Sequence, residues 1–263
     1  MNRNEMPKEI QNKIKGKSYE LDDIGMSDSS VLCFEDVVLK IEVVGEEAEN
    51  QEKMMQWLDG KLAVPKVLYS VQEKDKNYLL MTKITGEMLC EEKYMTQPKE
   101  LVRLLAEGLK LLWEVKIEGC PCNNSLEHTL QRAEIRVKNG TLDTDVESDT
   151  YGEDGFESPE ALLQWLKEHK PEEDFVFSHG DYCLPNVFAK DGKVTGFIDI
   201  GNSGIADRYQ DIALCYRSLQ HNFSGRFNGK AYPGFEPNML FDELGIDPDW
   251  EKIRYYILLD ELF

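Results

Sequence analysis

The sequence predicts an α+β chain with a small β-rich lobe at residues 1–85 and a larger helical lobe at residues 86–263. Three observations support this. The first eighty-odd residues contain apolar runs rich in β-branched and aromatic side chains, which is typical of strands. After Gly86, apolar residues recur at helical spacing over long segments. The chain has 263 residues, enough for one large domain or two lobes with buried cores.

In the first lobe, residues 31–44 predict a hairpin whose second strand is VVLKI, ending near Lys40. Residues 45–60 predict a helix, because acidic residues crowd the start and a glycine supplies the stop. Two further strands are expected in VPKVLYSVQ and NYLLMTKI. The segment TKITGE is expected to be the hinge between the lobes. This lobe should therefore be strand-rich with one helix.

The second lobe is expected to be built from helices. Residues 97–116 place leucines and a tryptophan on one face. Residues 126–140 end at Asn-Gly, and another helix begins at Ser158, with a proline at its first position. A last helix lies in DWEKIRYYILLDELF. The acid-rich residues 142–157 and the Gly- and Asn-rich residues 221–238 are expected to be loops.

Charge and composition restrict the possible partners. The net charge is −20, so the surface should repel nucleic acid and anionic membranes and attract a cationic ligand, although such charge can also serve solubility alone. No run of eighteen apolar residues appears, and the start is polar. Six scattered cysteines favour free thiols in a cytoplasmic protein. Cys120-Pro-Cys122 has no second cysteine pair, which argues against a metal site.

The stretch FSHGDYCLPNVF, residues 177–188, carries the candidate chemistry. Asp181 can accept a proton from a substrate hydroxyl, while Asn186 and the later Asp199 offer the oxygen ligands that Mg²⁺ prefers. Protein kinases use an Asp and an Asn five residues apart, then a metal-binding Asp, with a Lys on an early strand. Lys40 completes that set here. The alternative is a purely structural role, in which Asp181 and Asn186 only stabilise a turn.

Three neighbouring residues leave alternatives open. His179 could act as a general base, but a structural role in the loop is favoured. Asp207 and Asp211 could be additional metal ligands, but they too are expected to be structural.

The motifs HGDYCLPNVF and GFIDIGNSGIADRYQDIA are similar to the signature of the aminoglycoside phosphotransferase family. The segments KMMQWLDGKLAVPKVL and DWEKIRYYILLDELF extend the resemblance over most of the chain, towards the aminoglycoside 3′-phosphotransferases of Gram-positive bacteria. The resemblance implies a protein-kinase-like two-lobe fold. It also implies a resistance enzyme that uses ATP or GTP with Mg²⁺ to phosphorylate an aminoglycoside hydroxyl.

The resemblance implies a role for each matching residue. Asp181 would be the catalytic base, and Asn186 and Asp199 would hold Mg²⁺. The remaining residues divide between nucleotide and substrate. The nucleotide would be bound by Lys40 and Ser27 at the phosphates and by Met81, Thr82 and Ile84 beside the adenine; the cationic aminoglycoside would be bound by Asp260, Glu261 and the carboxylate of Phe263.

The chain departs from the family at four places. The helix glutamate that would pair with Lys40 is replaced by Gln51, with Glu49 and Glu52 as neighbours. The aromatic residue expected to stack on adenine is Val38, and an arginine after the IDxG motif is Asn202. Residues 221–238 do not match the family's helical segment.

These departures leave three functional hypotheses open: an aminoglycoside phosphotransferase, a kinase of the same fold acting on another small cationic alcohol or amino sugar, and a non-catalytic nucleotide-binding module. A protein kinase is disfavoured, because no activation segment with a later APE-like motif follows Asp199.

Overall fold

The computed structural model describes residues 6–22, 29–142, 146–147, 149–152, 155–227 and 229–263. Two compact units are present. The first contains Met1–Leu89 and Pro185–Asn202, and the second contains Cys90–Leu184 and Ser203–Phe263. The lobe boundary expected after residue 85 stays a prediction, because a functional lobe and a compact unit are different divisions of the chain. Ser27 and the loop around it lie outside the described residues.

The first unit is built on two antiparallel sheets. Their strands are β1 (Glu20–Asp22), β2 (Ser30–Cys33), β3 (Val37–Val43), β4 (Val67–Glu73), β5 (Lys76–Thr82), β6 (Glu87–Met88), β8 (Val187–Lys190) and β9 (Lys193–Phe197). The larger sheet has five strands in the order β1-β2-β3-β5-β4, and the smaller has three in the order β6-β8-β9. The hairpin expected at residues 31–44 is present as β2 and β3.

The described part of the first unit contains two α-helices, so the expectation of a single helix was wrong. Besides α2 (Glu46–Leu58), a short helix α1 (Lys8–Lys13) precedes the first strand. Met6, Ile10 and Ile14 are each at most 3% exposed and pack in one core cluster with residues of the sheet. Three apolar residues spaced by four are enough to place a helix face on the core, but they are a weak sequence signal.

The two faces of β3 serve different purposes. Side chains alternate between the faces of a strand. Leu39 and Ile41 belong to the apolar core that includes α1. Val38, Lys40 and Glu42 therefore share the opposite face, which is the one available for chemistry. The pairing of β3 with β2 on one side and β5 on the other fixes this register.

In the second unit, a two-stranded ribbon pairs β7 (Phe175–Ser178) with β10 (Gly204–Asp207). The rest is mainly helical, and the predicted helix boundaries at Ser158 and Gly140 are confirmed. The Ser158 hydroxyl accepts a hydrogen bond from Ala161 N at 3.3 Å, and Gly140 has a φ of 66°. The helices are α3 (Glu92–Met95), α4 (Pro98–Trp113), α5 (Leu126–Asn139), α6 (Pro159–Glu168), α7 (Arg208–Ser224), α8 (Met239–Leu244) and α9 (Trp250–Asp260).

The segment 221–238 is only partly the loop that its composition predicts. Its first four residues are the last turn of α7, which ends at Gly225 with a φ of 84°. From there to α8 the described residues form neither helix nor strand. This stretch is still packed, since the rings of Phe223 and Phe235 stack with centroids 5.2 Å apart. Over the described parts of the chain, no helix has the length and apolar character needed to cross a membrane.

Replacing Ile10 by Ala should lower the free energy of unfolding by about 2–4 kcal/mol, because it leaves a cavity in a fully buried site. Chemical denaturation followed by circular dichroism would measure the change. Glu9→Ala is the matched control on the exposed side of the same helix and should change stability little. Equal effects of the two substitutions would show that α1 is not part of the core.

Candidate functional site

Lys40 is the centre of a buried charged cluster in the first unit. The residue is 6% exposed. Its Nζ donates to Asp199 Oδ1 at 2.8 Å and to Gln51 Oε1 at 2.9 Å. It also lies 3.0 Å from Glu42 Oε2. The strand lysine, the helix residue and the aspartate of the IDxG motif are therefore brought together as the sequence analysis expects.

The two carboxylates keep the ammonium group charged. Burial alone would lower the pKa of Lys40, because desolvation penalises the charged form. The negative charges of Asp199 and Glu42 outweigh that effect and raise its pKa above the usual range. The raised pKa keeps Lys40 positively charged at neutral pH.

The helix contributes an amide where the resemblance implies a carboxylate. Gln51 is 2% exposed and accepts a hydrogen bond from Lys40. It therefore occupies the place of the expected glutamate and differs from it in carrying no negative charge. Glu49 does not replace it, because its side chain is 64% exposed and faces Lys53 at 3.6 Å. Glu52 accepts from Gln56. The second carboxylate on Lys40 is Glu42, a residue that sequence reasoning missed; its position two residues after Lys40 on a strand was the available signal.

The turn that carries Asp199 has a constrained backbone. Asp199 has a φ of 56°, in the left-handed region that is uncommon for residues other than glycine. Such conformations are concentrated at functional sites. One hydrogen bond to α2 holds the turn, since Asn50 Nδ2 donates to Gly201 O at 2.5 Å. The helix also approaches Gly201 closely: a Cβ there would lie 2.5 Å from Glu47 Cγ and 3.1 Å from Glu47 O, so a larger residue would force the Glu47 side chain to move.

The proposed metal ligands, Asn186 and Asp199, both lie at one end of the β8–β9 hairpin. Ile198 N donates to Asn186 O at 3.0 Å, next to the paired residues Val187 and Phe197. This bond places Asn186 and Asp199 at the open end of the hairpin. An amide oxygen and a carboxylate are oxygen donors of the kind that a hard cation such as Mg²⁺ prefers, so the chemistry of the two residues fits the ion.

The proposed hinge residues follow directly from the sheet. Met81 is paired with Val38 in the β3–β5 register, and Thr82 ends β5. The Thr82 hydroxyl accepts from Lys66 N at 2.9 Å. Ile84 lies against Gly196, where a Cβ would be 3.0 Å from Ile84 Cγ2. Val38 is a half-buried aliphatic residue on the face of Lys40, so this position offers no aromatic surface to a base.

Asp181 follows β7 in a loop that the Asp211 carboxylate holds in place. Asp211 is fully buried and accepts from Ser178 Oγ at 3.0 Å, His179 N at 2.8 Å and Gly180 N at 2.9 Å. Burial raises the pKa of Asp211, while His179 and these donors act to lower it. Asp181 itself remains partly exposed at the end of this loop.

His179 and Asp207 have the structural contacts that the sequence analysis favours. His179 is fully buried, and its Nδ1 accepts from Asp181 N at 3.3 Å. Asp207 accepts from Tyr209 N at 3.0 Å at the start of α7 and from Lys252 Nζ at 2.8 Å. These contacts are local supports for the loop and the helix.

The acidic residues at the end of α9 are already paired with arginine. Arg217 hydrogen-bonds to Asp260, and its Nη1 lies 3.6 Å from Glu261 Oε1. Glu261 is buried, and its Oε2 accepts from Glu147 N at 3.0 Å. Asp260 and Glu261 are thus brought together, with Arg217 as a partner that sequence reasoning missed.

Glu147 extends this cluster within the acid-rich segment. Its carboxylate lies 2.8 Å from His221 Nε2 and 2.5 Å from Arg226 Nη1. Asp143, Asp145, Glu153 and Asp154 of that segment lie outside the described residues.

Phe263 is held by arginines of α5. Arg136 donates from Nε to Leu262 O at 3.1 Å and from Nη2 to Phe263 O. The guanidinium groups of Arg132 and Arg136 each lie 5.4 Å from the centroid of the Phe263 ring. The end of the chain is therefore docked on α5.

Glu261 should make stability depend on pH between about 4.5 and 7. Burial raises the pKa of Glu261 to about 7 from an ordinary 4.5. The folded protein binds this proton more tightly than the unfolded chain, so the stabilisation is complete below pH 4.5 and is lost as pH rises through 7. The unfolding free energy of the wild type relative to Glu261→Gln should fall by about 3 kcal/mol over this range.

Denaturation at several pH values would measure this difference. Glu251→Gln, an exposed glutamate on α9, is the control and should run parallel to the wild type. A wild-type curve parallel to that of Glu261→Gln would contradict the assignment.

Comparison with known proteins adds independent information. Residues 25–255 match the model of the phosphotransferase enzyme family. The aminoglycoside 3′-phosphotransferase of Enterococcus faecalis is 44% identical over 220 residues, which are 82% of this chain and 79% of that protein. The enzyme of the same name from Staphylococcus aureus is 43% identical over 82% of this chain and 80% of its own length.

Solved structures agree with the sequence matches. The crystal structure of an aminoglycoside-3′-phosphotransferase of type VIII aligns with a TM-score of 0.79 at 25% identity, over 97% of each chain. A Streptomyces rimosus aminoglycoside phosphotransferase in complex with ADP and streptomycin aligns with a TM-score of 0.77 at 21% identity, over 96% of this chain and 95% of that one. The α+β, kinase-like fold is confirmed. The chain therefore belongs to the phosphotransferase enzyme family, as a kinase-like transferase of the aminoglycoside phosphotransferase group.

Proposed function

We propose that this enzyme transfers the γ-phosphate of a nucleoside triphosphate, ATP or GTP, to a hydroxyl group of an aminoglycoside antibiotic and thereby confers resistance. The observation that carries the proposal is the Lys40 cluster, in which a buried lysine is held beside Asp199 in a chain that also has the HGDxxxxN motif. The names of the relatives supply the substrate class.

Asp181 is proposed as the base that accepts the proton of the acceptor hydroxyl. Its partly exposed position leaves it accessible to a substrate, and its loop is fixed by the hydrogen bonds to Asp211. A rigid loop matters because phosphoryl transfer depends mainly on the position of the acceptor.

Asn186 and Asp199 are proposed to hold Mg²⁺. Bound there, the ion would neutralise charge on the phosphates. Asn186 is 6% exposed and its backbone carbonyl accepts from Ile198 N, which supports a fixed position for this residue beside the hairpin. The left-handed backbone at Asp199 fixes the direction in which its carboxylate leaves the chain.

Lys40 is proposed to bind the α- and β-phosphates, with Ser27 as a further phosphate contact. Met81, Thr82 and Ile84 are proposed to line the position of the nucleotide base. Val38 offers an aliphatic surface there, and an aliphatic contact discriminates weakly between purines. The choice between ATP and GTP would then depend on hydrogen bonds to the Met81–Ile84 backbone.

The cationic aminoglycoside is proposed to bind at Asp260, Glu261 and Phe263. Arg217 bridges the two acidic side chains, so a substrate ammonium group has to compete with a resident cation. This arrangement favours ligands that present several ammonium groups. The net charge of −20 supports a cationic ligand and argues against nucleic acid or an anionic membrane as partner. A cytoplasmic location remains part of the proposal, because the six cysteines fit a reducing compartment.

A kinase acting on another small cationic alcohol is the second candidate. The observation that favours it is the non-helical stretch after Gly225, together with the pairing of Asp260 and Glu261 to Arg217. An ADP-release assay with 4,5- and 4,6-disubstituted aminoglycosides, choline and simple amino sugars would separate the two functions. Turnover of choline or amino sugars alone would reject the antibiotic as substrate.

Replacing Asp181 by Asn should reduce kcat by a factor of about 100 or more while Mg–nucleotide binding is retained, because only the proton acceptor is removed. Steady-state kinetics and calorimetry would measure the two quantities. Asp191→Asn is the matched control: it lies in the β8–β9 turn, and its φ of 51° suits asparagine. Unchanged turnover in Asp181→Asn would contradict the assignment of Asp181 as the catalytic base.

Replacing Asp260 by Asn should raise KM for the aminoglycoside by about tenfold and leave KM for the nucleotide unchanged, since a partly exposed carboxylate contributes modestly to cation binding. Glu251→Gln on the same helix is the control and should change neither constant. A parallel rise in both KM values would point to a structural defect and contradict substrate contact.

A further inference from the structure

Lys40 has an unusual set of partners for a phosphate-binding lysine. The helix partner, Gln51, is neutral, so α2 holds the ammonium group through an amide oxygen. The negative charge next to Lys40 comes from Asp199 and from Glu42, on the same strand. Hydrogen bonds to a charged acceptor are stronger than those to a neutral one. The question is which carboxylate holds Lys40 during catalysis.

Asp199 is not available as a permanent partner. Its side chain is 35% exposed, and in the proposed function its carboxylate is a ligand of Mg²⁺. A carboxylate that binds a divalent ion loses most of its attraction for a neighbouring ammonium group, because the ion's charge offsets it. Glu42 carries no such second role.

The position of Glu42 on β3 keeps its carboxylate close to Lys40. The two residues are separated by one position on β3, so they share a face of the sheet. The strand is paired on both sides near the lysine, with Val31 on β2 and Leu79 on β5 opposite Lys40. Glu42 lies opposite Asn77 in the β3–β5 register. Its position relative to Lys40 is therefore set by the strand itself.

The burial of Glu42 indicates that Lys40 is the reason for its presence. Its side chain is 12% exposed and its Oε2 lies 3.0 Å from Lys40 Nζ. Its other oxygen, Oε1, is buried with no hydrogen-bond partner among the residues that the structure describes. A buried carboxylate without compensation is destabilising, so it is tolerated only where its charge is used.

We propose that Glu42 is the positioning residue for Lys40, and that the carboxylate expected on α2 has been relocated to β3 in this enzyme. Glu42 keeps the ammonium group aimed at the nucleotide phosphates when Asp199 is engaged elsewhere. Gln51 supplies a neutral hydrogen bond that orients the same group. This inference rests on the proposed role of Lys40 in nucleotide binding.

The test is an exchange of the carboxylate between strand and helix. Glu42→Gln removes the charge and keeps the size of the side chain. The double variant Glu42→Gln/Gln51→Glu returns a carboxylate to Lys40 from α2, at a residue already 2.9 Å from its Nζ. Glu49→Gln is the matched control on α2, since that glutamate is exposed and does not contact Lys40. Lys40→Met provides the baseline for loss of the lysine.

Glu42→Gln should lower kcat/KM for the nucleotide by about 10- to 100-fold, as expected for a misplaced catalytic group, and should weaken Mg–ADP binding. The double variant should recover most of the loss, and Glu49→Gln should behave as wild type. A merely structural role for Glu42 would not give recovery from a carboxylate placed on another element, at position 51 of α2. Melting temperatures would be measured for all variants.

Two outcomes overturn the proposal: wild-type kinetics in Glu42→Gln, or no recovery in the double variant. If Glu42→Gln alone is too unstable to assay, the double variant decides, because near wild-type kinetics support the exchange and Lys40→Met-like kinetics reject it. Failure of the proposed function is distinguishable. In that case the wild type does not phosphorylate aminoglycosides, while Mg–ADP affinity still reports whether Glu42 and Gln51 exchange roles.

Discussion

The buried ammonium group of Lys40 is the constraint on which the first unit depends. A cation that is 6% exposed requires compensating anions at short range. That requirement brings the consecutive elements β3 and α2 together with the turn of Asp199, which is 159 residues after Lys40. The left-handed backbone of Asp199 and the close approach of Gly201 to Glu47 are local costs of this arrangement. Both features are tolerated because they allow Asp199 to lie beside Lys40, where its carboxylate compensates the buried positive charge.

In the second unit, a buried negative charge rather than a buried positive charge holds the loop that carries Asp181. There the buried charge is a carboxylate, Asp211, and its partners are a hydroxyl and two backbone N–H groups. Such an acceptor ties the peptide bonds on either side of His179 directly to α7. The loop that carries Asp181 is thus held by its backbone, and its side chains remain available for chemistry.

Much of the fold could be predicted from sequence where local chemistry decides the structure. The hairpin at residues 31–44 and the start of α6 at Ser158 follow from strand composition and capping. A helix over Arg208–Ser224 is not predicted, because α7 is buried on most of its surface and lacks a clear polar face. Helix α1 is missed because three apolar residues form its whole signal.

The candidate site divides in the same way. Asp181, Asn186 and Asp199 are identified by their spacing and by the family resemblance, and Lys40 by its strand. Glu42 has a sequence signal in its position two residues after Lys40, but that signal alone does not show that the two side chains form a buried pair. Arg217 could not be assigned to Asp260 because 43 residues separate them. Contacts of this kind depend on tertiary packing, which periodicity in the sequence does not encode.

The placement of Glu42 has a consequence for control of the enzyme. In protein kinases the lysine pairs with a glutamate on a mobile helix, so displacement of that helix switches activity off. In this chain a charged partner lies two residues along the same strand, where sheet hydrogen bonds hold both residues. Helix displacement would leave that ion pair intact. Lys40 is therefore held in place without a regulatory movement of the helix. This suits a resistance enzyme, whose activity does not depend on a signalling event.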